Sequence, residues 1–92
     1  MHYFYILYSP LINKYYVGET GDLERRILEH RNGAYKGSYT VRARDWILKL
    51  SIEFNTITNA RKAEAFVKKM NSRIFIEKLL LDHRWFIDKF NR

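Results

Sequence analysis

Five side chains suited to acid–base and phosphate chemistry occur in order along the chain: Tyr5, Tyr16, Arg26, His30 and Glu64. A tyrosine hydroxyl can accept or relay a proton when nearby positive charge lowers its pKa from about 10. An arginine can neutralise the non-bridging oxygens of a phosphate. One carboxylate can hold a hydrated divalent ion, because Mg²⁺ keeps several waters. Together these residue types suit phosphodiester hydrolysis.

Each of these residues also has an ordinary structural interpretation. The tyrosines are typical core aromatics, and Arg26 is typical of a solvated helix face. His30 would complement the dipole of a helix C-terminus. Glu64 would pair with Lys68, four residues later on the same helix. Only the joint order of the five residues favours a functional interpretation.

Two predicted strands carry the tyrosines. Residues His2 to Ser9 are rich in aromatic and β-branched residues, which is typical of a strand, and they contain Tyr5. A turn follows, and Lys14 to Gly18 returns as an antiparallel strand that contains Tyr16. Gly18, without a side chain, would admit a ligand close to the backbone. The two tyrosines are therefore expected on neighbouring strands.

A helix after the second strand carries Arg26 and His30 on one face, because the two residues are four apart. Thr20 is expected to cap this helix, and Gly33 to end it. Its predicted buried stripe comprises Leu23, Ile27 and Leu28.

The rest of the chain predicts one strand and two helices. Residues Trp46 to Phe54 alternate as a third strand, with inward positions at Leu48, Leu50, Ile52 and Phe54. A helix bearing Glu64 is expected from Thr58 or Asn59 to Lys69 or Met70, with its apolar stripe at Ala60, Ala63, Val67 and Met70. Ser72 would cap a last helix, whose apolar residues are Ile74, Phe75, Leu79, Leu80, Trp85, Phe86 and Phe90.

The predicted order is thus β-β-α-β-α-α. The simplest arrangement is an α/β (α+β) sandwich, in which helices cover both faces of a three-stranded antiparallel sheet. Residues 1–92 are expected to form one domain, because a chain of this length has no room for a second core.

Composition narrows the class of protein. The 92 residues carry a formal net charge of +7, which favours polyanionic partners. There is no cysteine, so disulfides and thiolate zinc sites are excluded. No secretory signal is evident, and the first apolar run is too short to span a bilayer, which needs about 20 residues. A cytoplasmic protein without membrane contact is the expectation.

Positive charge concentrates between Arg31 and Arg44, a stretch that contains no acid and has glycines at positions 33 and 37. Cations interleaved with aromatic rings can meet phosphates and stack on bases, which predicts nucleic-acid binding by a mobile loop. Alternatively, its tyrosines fold back onto the core. The candidate nucleic-acid-binding residues are Arg31, Lys36, Tyr39, Arg42 and Arg44.

The chain resembles the GIY-YIG nuclease family from Tyr3 to about Leu80. Tyr3-Phe4-Tyr5 takes the place of the Gly-Ile-Tyr element, and Tyr16-Val17-Gly18 that of Tyr-Ile-Gly. The segment Gly21 to Arg26 is similar to the opening of the family's helix, and Ala60 to Lys69 to the helix that bears the metal-binding glutamate. Small stand-alone bacterial members related to the nuclease domain of the repair protein UvrC are the most similar, through Tyr39-Thr40 and Trp46.

The resemblance implies a divalent-metal-dependent DNA endonuclease. By that carry-over Tyr16 acts at the attacking water with Tyr5 beside it, Arg26 steadies the phosphate, His30 assists proton transfer, and Glu64 ligates Mg²⁺ or Mn²⁺. Two positions depart from the family. Tyr3 replaces the first glycine, and Glu19 stands where several relatives place a lysine, so one activating cation is absent.

Three functions follow from these observations. The leading one is an endonuclease that acts on structured or damaged DNA, in the manner of a DNA-repair nuclease. The second is a catalytically weak nucleic-acid-binding protein on the same scaffold. The third is an interaction module whose last helix docks on a partner or forms a homodimer.

Overall fold

The computed structural model describes residues 1–34 and 39–91. Two strands open the chain, β1 (His2–Ser9) and β2 (Lys14–Thr20), followed by helix α1 (Leu23–Arg31) and a short 3₁₀ helix (Tyr39–Arg42). Strand β3 (Ile47–Phe54) precedes the helices α2 (Ile57–Met70), α3 (Arg73–Leu81) and α4 (Arg84–Phe90). The predicted fold class, a three-stranded antiparallel sheet flanked by helices, is confirmed.

Strand β1 lies between β2 and β3 and is apolar on both faces, as a central strand covered on two sides must be. On one face, Phe4 and Ile6 pack with Val67, Leu79 and Phe86 of helices α2 to α4. On the other, Tyr5 and Leu7 pack with Trp46 and with residues of α1. Both tyrosine-bearing strands therefore present their tyrosines Tyr5 and Tyr16 toward α1.

A bulge in β3 corrects one strand prediction. The pairing of β1 with β3 shifts between Ile6 and Leu7, so that Ile6 lies opposite Leu50 and Leu7 opposite Leu48. The extra residue places Leu48 on the α1 side, whereas Leu50 packs on the α2 side. The prediction that the two leucines share a face is wrong for this reason. Trp46 precedes the strand and is buried beneath it.

Helix α1 is capped by Asp22, not by Thr20. The Asp22 side chain accepts from the backbone N–H of Arg25 at 3.2 Å, while the Thr20 hydroxyl accepts from the Asp22 N–H at 3.1 Å. Thr20 cannot cap because it still pairs with Tyr3 at the end of β2, two residues beyond the predicted end of that strand. Leu28, predicted to be buried, is 55% exposed.

Helix α2 starts at Ile57 with Thr56 as its cap, slightly earlier than predicted. The segment predicted as one last helix forms two, because Asp82 is extended between α3 and α4. This break lets α4 fold back so that the Phe86 ring packs against Phe4, with ring centroids 5.0 Å apart and ring planes tilted by 51°. Three residues predicted for the apolar stripes are instead exposed: Met70, Ile74 and Trp85. No helix within the described ranges is long and apolar enough to cross a membrane.

Candidate active site

A buried chain of three hydrogen-bonding side chains lies between β1 and α1. The Tyr5 hydroxyl lies 2.9 Å from Nε2 of His30, and Nδ1 of His30 lies 2.8 Å from the hydroxyl of Thr40. All three residues are buried. The indole Nε1 of Trp46 donates to the Thr40 carbonyl at 2.9 Å, which anchors the far end of the chain.

His30 is neutral in this environment. Burial, assisted by the positive charge of Arg26, lowers the pKa of His30 from 6.5 to about 4. A neutral imidazole has one N–H, so it donates to one of the two hydroxyls and accepts from the other. His30 therefore couples Thr40 to Tyr5.

Gly18 makes room for the Tyr5 ring. The two residues lie opposite each other on β2 and β1, and a Cβ at Gly18 would come within 2.5 Å of both Cζ and the hydroxyl of Tyr5. The space expected to admit a ligand is thus filled by a phenol of the same chain. Because Gly18 has no side chain, the Tyr5 ring can pack beside it with its hydroxyl in contact with His30.

Tyr16 connects the buried chain to the surface. Its ring centroid lies 4.8 Å from that of His30 and 6.2 Å from that of Tyr5. Unlike Tyr5, it is only partly buried. On another side the ammonium of Lys68 lies 5.4 Å from the centre of the Tyr16 ring.

Glu64 reaches this cluster through Lys68. The predicted pairing four residues apart is present, with 3.4 Å between the Lys68 ammonium and the Glu64 carboxylate. The described residues contain no group of three or more His, Cys, Asp or Glu side chains arranged to hold a metal. A single, partly buried carboxylate would nevertheless suit a divalent ion that retains most of its waters.

Arg26 lies one helical turn before His30, and its side chain is 20% exposed. Its Nε donates to the Glu29 carboxylate at 3.0 Å. This pair fixes the guanidinium close enough to His30 to lower the imidazole pKa. The structure thus brings Tyr5, Tyr16 and His30 into mutual contact, with Arg26 next to His30 and Glu64 on the Lys68 side of Tyr16.

An open groove of about 980 Å³ begins at Tyr16 and runs between β2, the 3₁₀ helix and the junction of α2 with α3. Its cations come from four separate parts of the chain: Lys14, Arg42, Lys68 and Arg73. Tyr39 also lines it, and none of the described residues that line it is acidic. Sequence patterns identified Tyr39 and Arg42, but not the cations that only the fold brings beside them.

The other candidate cations lie elsewhere. Arg31 donates from Nε to the Trp46 carbonyl at 2.9 Å. Arg44 packs over Gly33, where a Cβ would come within 1.9 Å of its Nη1. Both support the C-terminal end of α1 while remaining exposed residues. Lys36 and Gly37 lie outside the described residues.

Glu19, the departure from the family pattern, is compensated by charge from neighbouring elements. Its carboxylate pairs with the imidazole of His2, and its other oxygen lies 3.6 Å from Nε of Arg61 on α2. A negative charge at this position is therefore neutralised locally.

The sequence alone assigns no role to Thr40. It is one residue of the Tyr39-Thr40 pair, and nothing in its spacing from His30 indicates a contact. Both ring nitrogens of a buried histidine need hydrogen-bond partners. This requirement is the signal that could have identified a second hydroxyl beside His30.

Comparisons with known proteins identify the family to which this chain belongs. Residues 1–78 match the model of the GIY-YIG catalytic domain. The chain is 36% identical over 73 residues to a UPF0213 protein of Enterococcus faecalis (strain ATCC 700802 / V583). The aligned segment covers 78% of this chain and 82% of that protein. No solved structure matches the chain significantly. The match to most of the chain and the identity to this relative together show that the protein belongs to the GIY-YIG family, a family of nucleases.

Proposed function

We propose that this chain is a divalent-metal-dependent DNA endonuclease that acts on structured or damaged DNA, with residues 1–92 working as one nuclease domain. The observation that carries the proposal is the position of Tyr16. It joins the buried Tyr5–His30–Thr40 chain to a cationic groove that is open to solvent.

Each side chain has a role that fits its surroundings. Tyr16 is partly exposed beside Lys68, and it orients or deprotonates the attacking water. Tyr5 and His30 hold Tyr16 from behind by ring contacts. Arg26 stabilises charge on the phosphate oxygens. Glu64 holds Mg²⁺ or Mn²⁺, which when bound supplies charge neutralisation at the phosphate.

DNA contact is assigned to the candidate residues Tyr39 and Arg42, which line the groove, and to Arg31, Lys36 and Arg44. Leu79 and Phe86 of the C-terminal helices are buried in the core of this chain, whereas Ile74, Leu81 and Trp85 are exposed. The endonuclease is preferred to the interaction module or homodimer because the chain belongs to a family of nucleases. A catalytically weak binding protein remains the alternative that experiment must separate.

The test compares cleavage of branched, nicked and plain duplex DNA with Mg²⁺ or Mn²⁺ for the wild type and Tyr16→Phe. We expect the loss of one hydroxyl to reduce the rate about 100-fold or more at an unchanged melting temperature, as for a proton-transfer group. Tyr3→Phe is the matched control, since its hydroxyl interacts with Glu53 at the surface rather than with the cluster.

Glu64→Gln should abolish metal-dependent cleavage and leave the melting temperature nearly unchanged. Mg²⁺ affinity, measured by calorimetry, should be lower for Glu64→Gln than for the wild type. A wild type that binds DNA but cuts none of the substrates with either metal would contradict the endonuclease and support the binding protein.

A further inference from the structure

We propose that the groove beside β2 binds an unpaired nucleic-acid strand next to the reaction site. This inference rests on the proposed function, because it names the form of DNA that the site receives. It assigns strand-binding roles to Lys14 and Lys68, which the sequence did not indicate, in addition to Arg42 and Tyr39.

The charge of the groove matches a phosphate backbone. Lys14 and Arg42 are exposed residues on two of its walls, and Lys68 lies at the end nearest Tyr16. Arg73 adds positive charge but is held in place, because its guanidinium donates to the carbonyl and side chain of Asn13 at 2.8 and 2.7 Å. Lys14 and Arg42 are thus the exposed cations placed to follow a backbone, and Lys68, which pairs with Glu64 at 3.4 Å, adds positive charge beside Tyr16.

The aromatic residues favour an unpaired strand over a duplex. Tyr39 is 40% exposed and meets the Tyr16 ring edge-on, with centroids 5.6 Å apart. A base can stack on such a ring only when one face of the base is free. Within a duplex, both faces of each base are covered by the neighbouring base pairs. A groove of about 980 Å³ on a molecule 35 × 27 × 19 Å across is also too small to enclose a duplex.

The test measures fluorescence anisotropy of a labelled single strand, the matching blunt duplex, and a duplex with a single-stranded flap. Binding is measured in EDTA, so that it does not depend on cleavage. The variants are Lys14→Glu/Arg42→Glu for charge and Tyr39→Leu for stacking. Lys49→Glu is the control, since Lys49 is an exposed residue of β3, at the opposite edge of the sheet.

We expect the wild type to bind the single strand and the flap more tightly than the duplex. The double variant should lose about 10-fold or more in single-strand affinity, and its salt slope should fall by about 0.7 for each phosphate contact removed. Tyr39→Leu should lose about 10-fold with little change of slope, because stacking is not ionic. Lys49→Glu should change the affinity far less than the double variant does.

The inference is overturned if the double variant weakens binding no more than Lys49→Glu. It is also overturned if the duplex binds as tightly as the single strand. Displacement of the single strand and of the duplex to the same extent by an acidic peptide would overturn it too. Parallel cleavage assays separate this failure from that of the proposed function. Cleavage that survives the groove substitutions rejects the groove alone, whereas groove-dependent binding without any wild-type cleavage rejects the endonuclease alone.

Discussion

The protonation of His30 follows from its burial. The imidazole is fully enclosed, Arg26 adds positive charge nearby, and together they lower its pKa to about 4. A neutral ring bonded to Tyr5 and Thr40 is a fixed support for the tyrosine cluster at physiological pH. Protonation would force it to donate to both hydroxyls and would bring a second cation beside Arg26.

Stability should consequently fall in mild acid. An unfolded His30 takes up a proton below its ordinary pKa of 6.5, whereas the folded residue resists protonation down to about 4. The contribution is therefore complete above pH 6.5, is lost as the pH falls toward 4, and changes no further below that. The loss amounts to about 3.4 kcal/mol at most, since the two pKa values differ by about 2.5 and each pKa unit corresponds to about 1.4 kcal/mol.

Chemical denaturation of the wild type and of His30→Gln across this pH range measures the effect. The variant should show a flatter dependence on pH than the wild type. If His30→Gln fails to fold, NMR titration of the wild type replaces it. An imidazole that becomes protonated near pH 6.5 would contradict the prediction.

Among the secondary-structure elements, the pairing of β1 with β2 depends on one glycine. Gly18→Ala would place a methyl group 2.5 Å from the Tyr5 ring. We expect a loss of about 1–3 kcal/mol in the free energy of unfolding, because overpacking displaces a buried ring. Urea denaturation checks this value.

Gly21→Ala is the matched control, since its Cβ would meet only His2 at an ordinary 3.4 Å. Adding Tyr5→Leu to Gly18→Ala should cancel part of the overpacking, because it removes the displaced ring. If Gly18→Ala is no more costly than Gly21→Ala, the close approach does not constrain the sheet.

The sequence predicts elements well where one periodic pattern decides them, as in β1 and α2. It fails where a contact between residues distant in sequence overrides the local preference. Thr20 is a good cap by residue type, but pairing with Tyr3 keeps it in the sheet. Leu48 obeys the alternation of its strand, but a bulge turns it to the other face. The division of the last helix likewise depends on a partner distant in sequence, Phe4.

The candidate site shows the same division. The order of the tyrosines, Arg26, His30 and Glu64 was available from sequence, and so was the pairing of Glu64 with Lys68. The neutral state of His30 was not, because it depends on burial. The groove could not be predicted either, since Lys14, Arg42 and Arg73 are far apart along the chain and meet only after folding.

For the molecule as a whole, the net charge of +7 predicts how binding responds to salt. Because phosphate contacts release counterions, DNA affinity should fall steeply and log-linearly as salt rises. Anisotropy titrations of the wild type over a series of salt concentrations measure the slope. Affinity that is unchanged between low and moderate salt would argue against a nucleic-acid role of either kind.

The two tryptophans differ sharply in exposure, at 1% for Trp46 and 43% for Trp85. The Trp46 indole donates a hydrogen bond to the Thr40 carbonyl, so it packs with the buried Tyr5–His30–Thr40 chain. Replacement of Trp85 by phenylalanine would leave Trp46 as the single tryptophan, at the rear of the tyrosine cluster. The chain therefore contains its own optical reporter, whose emission can follow loosening of this cluster without any added label.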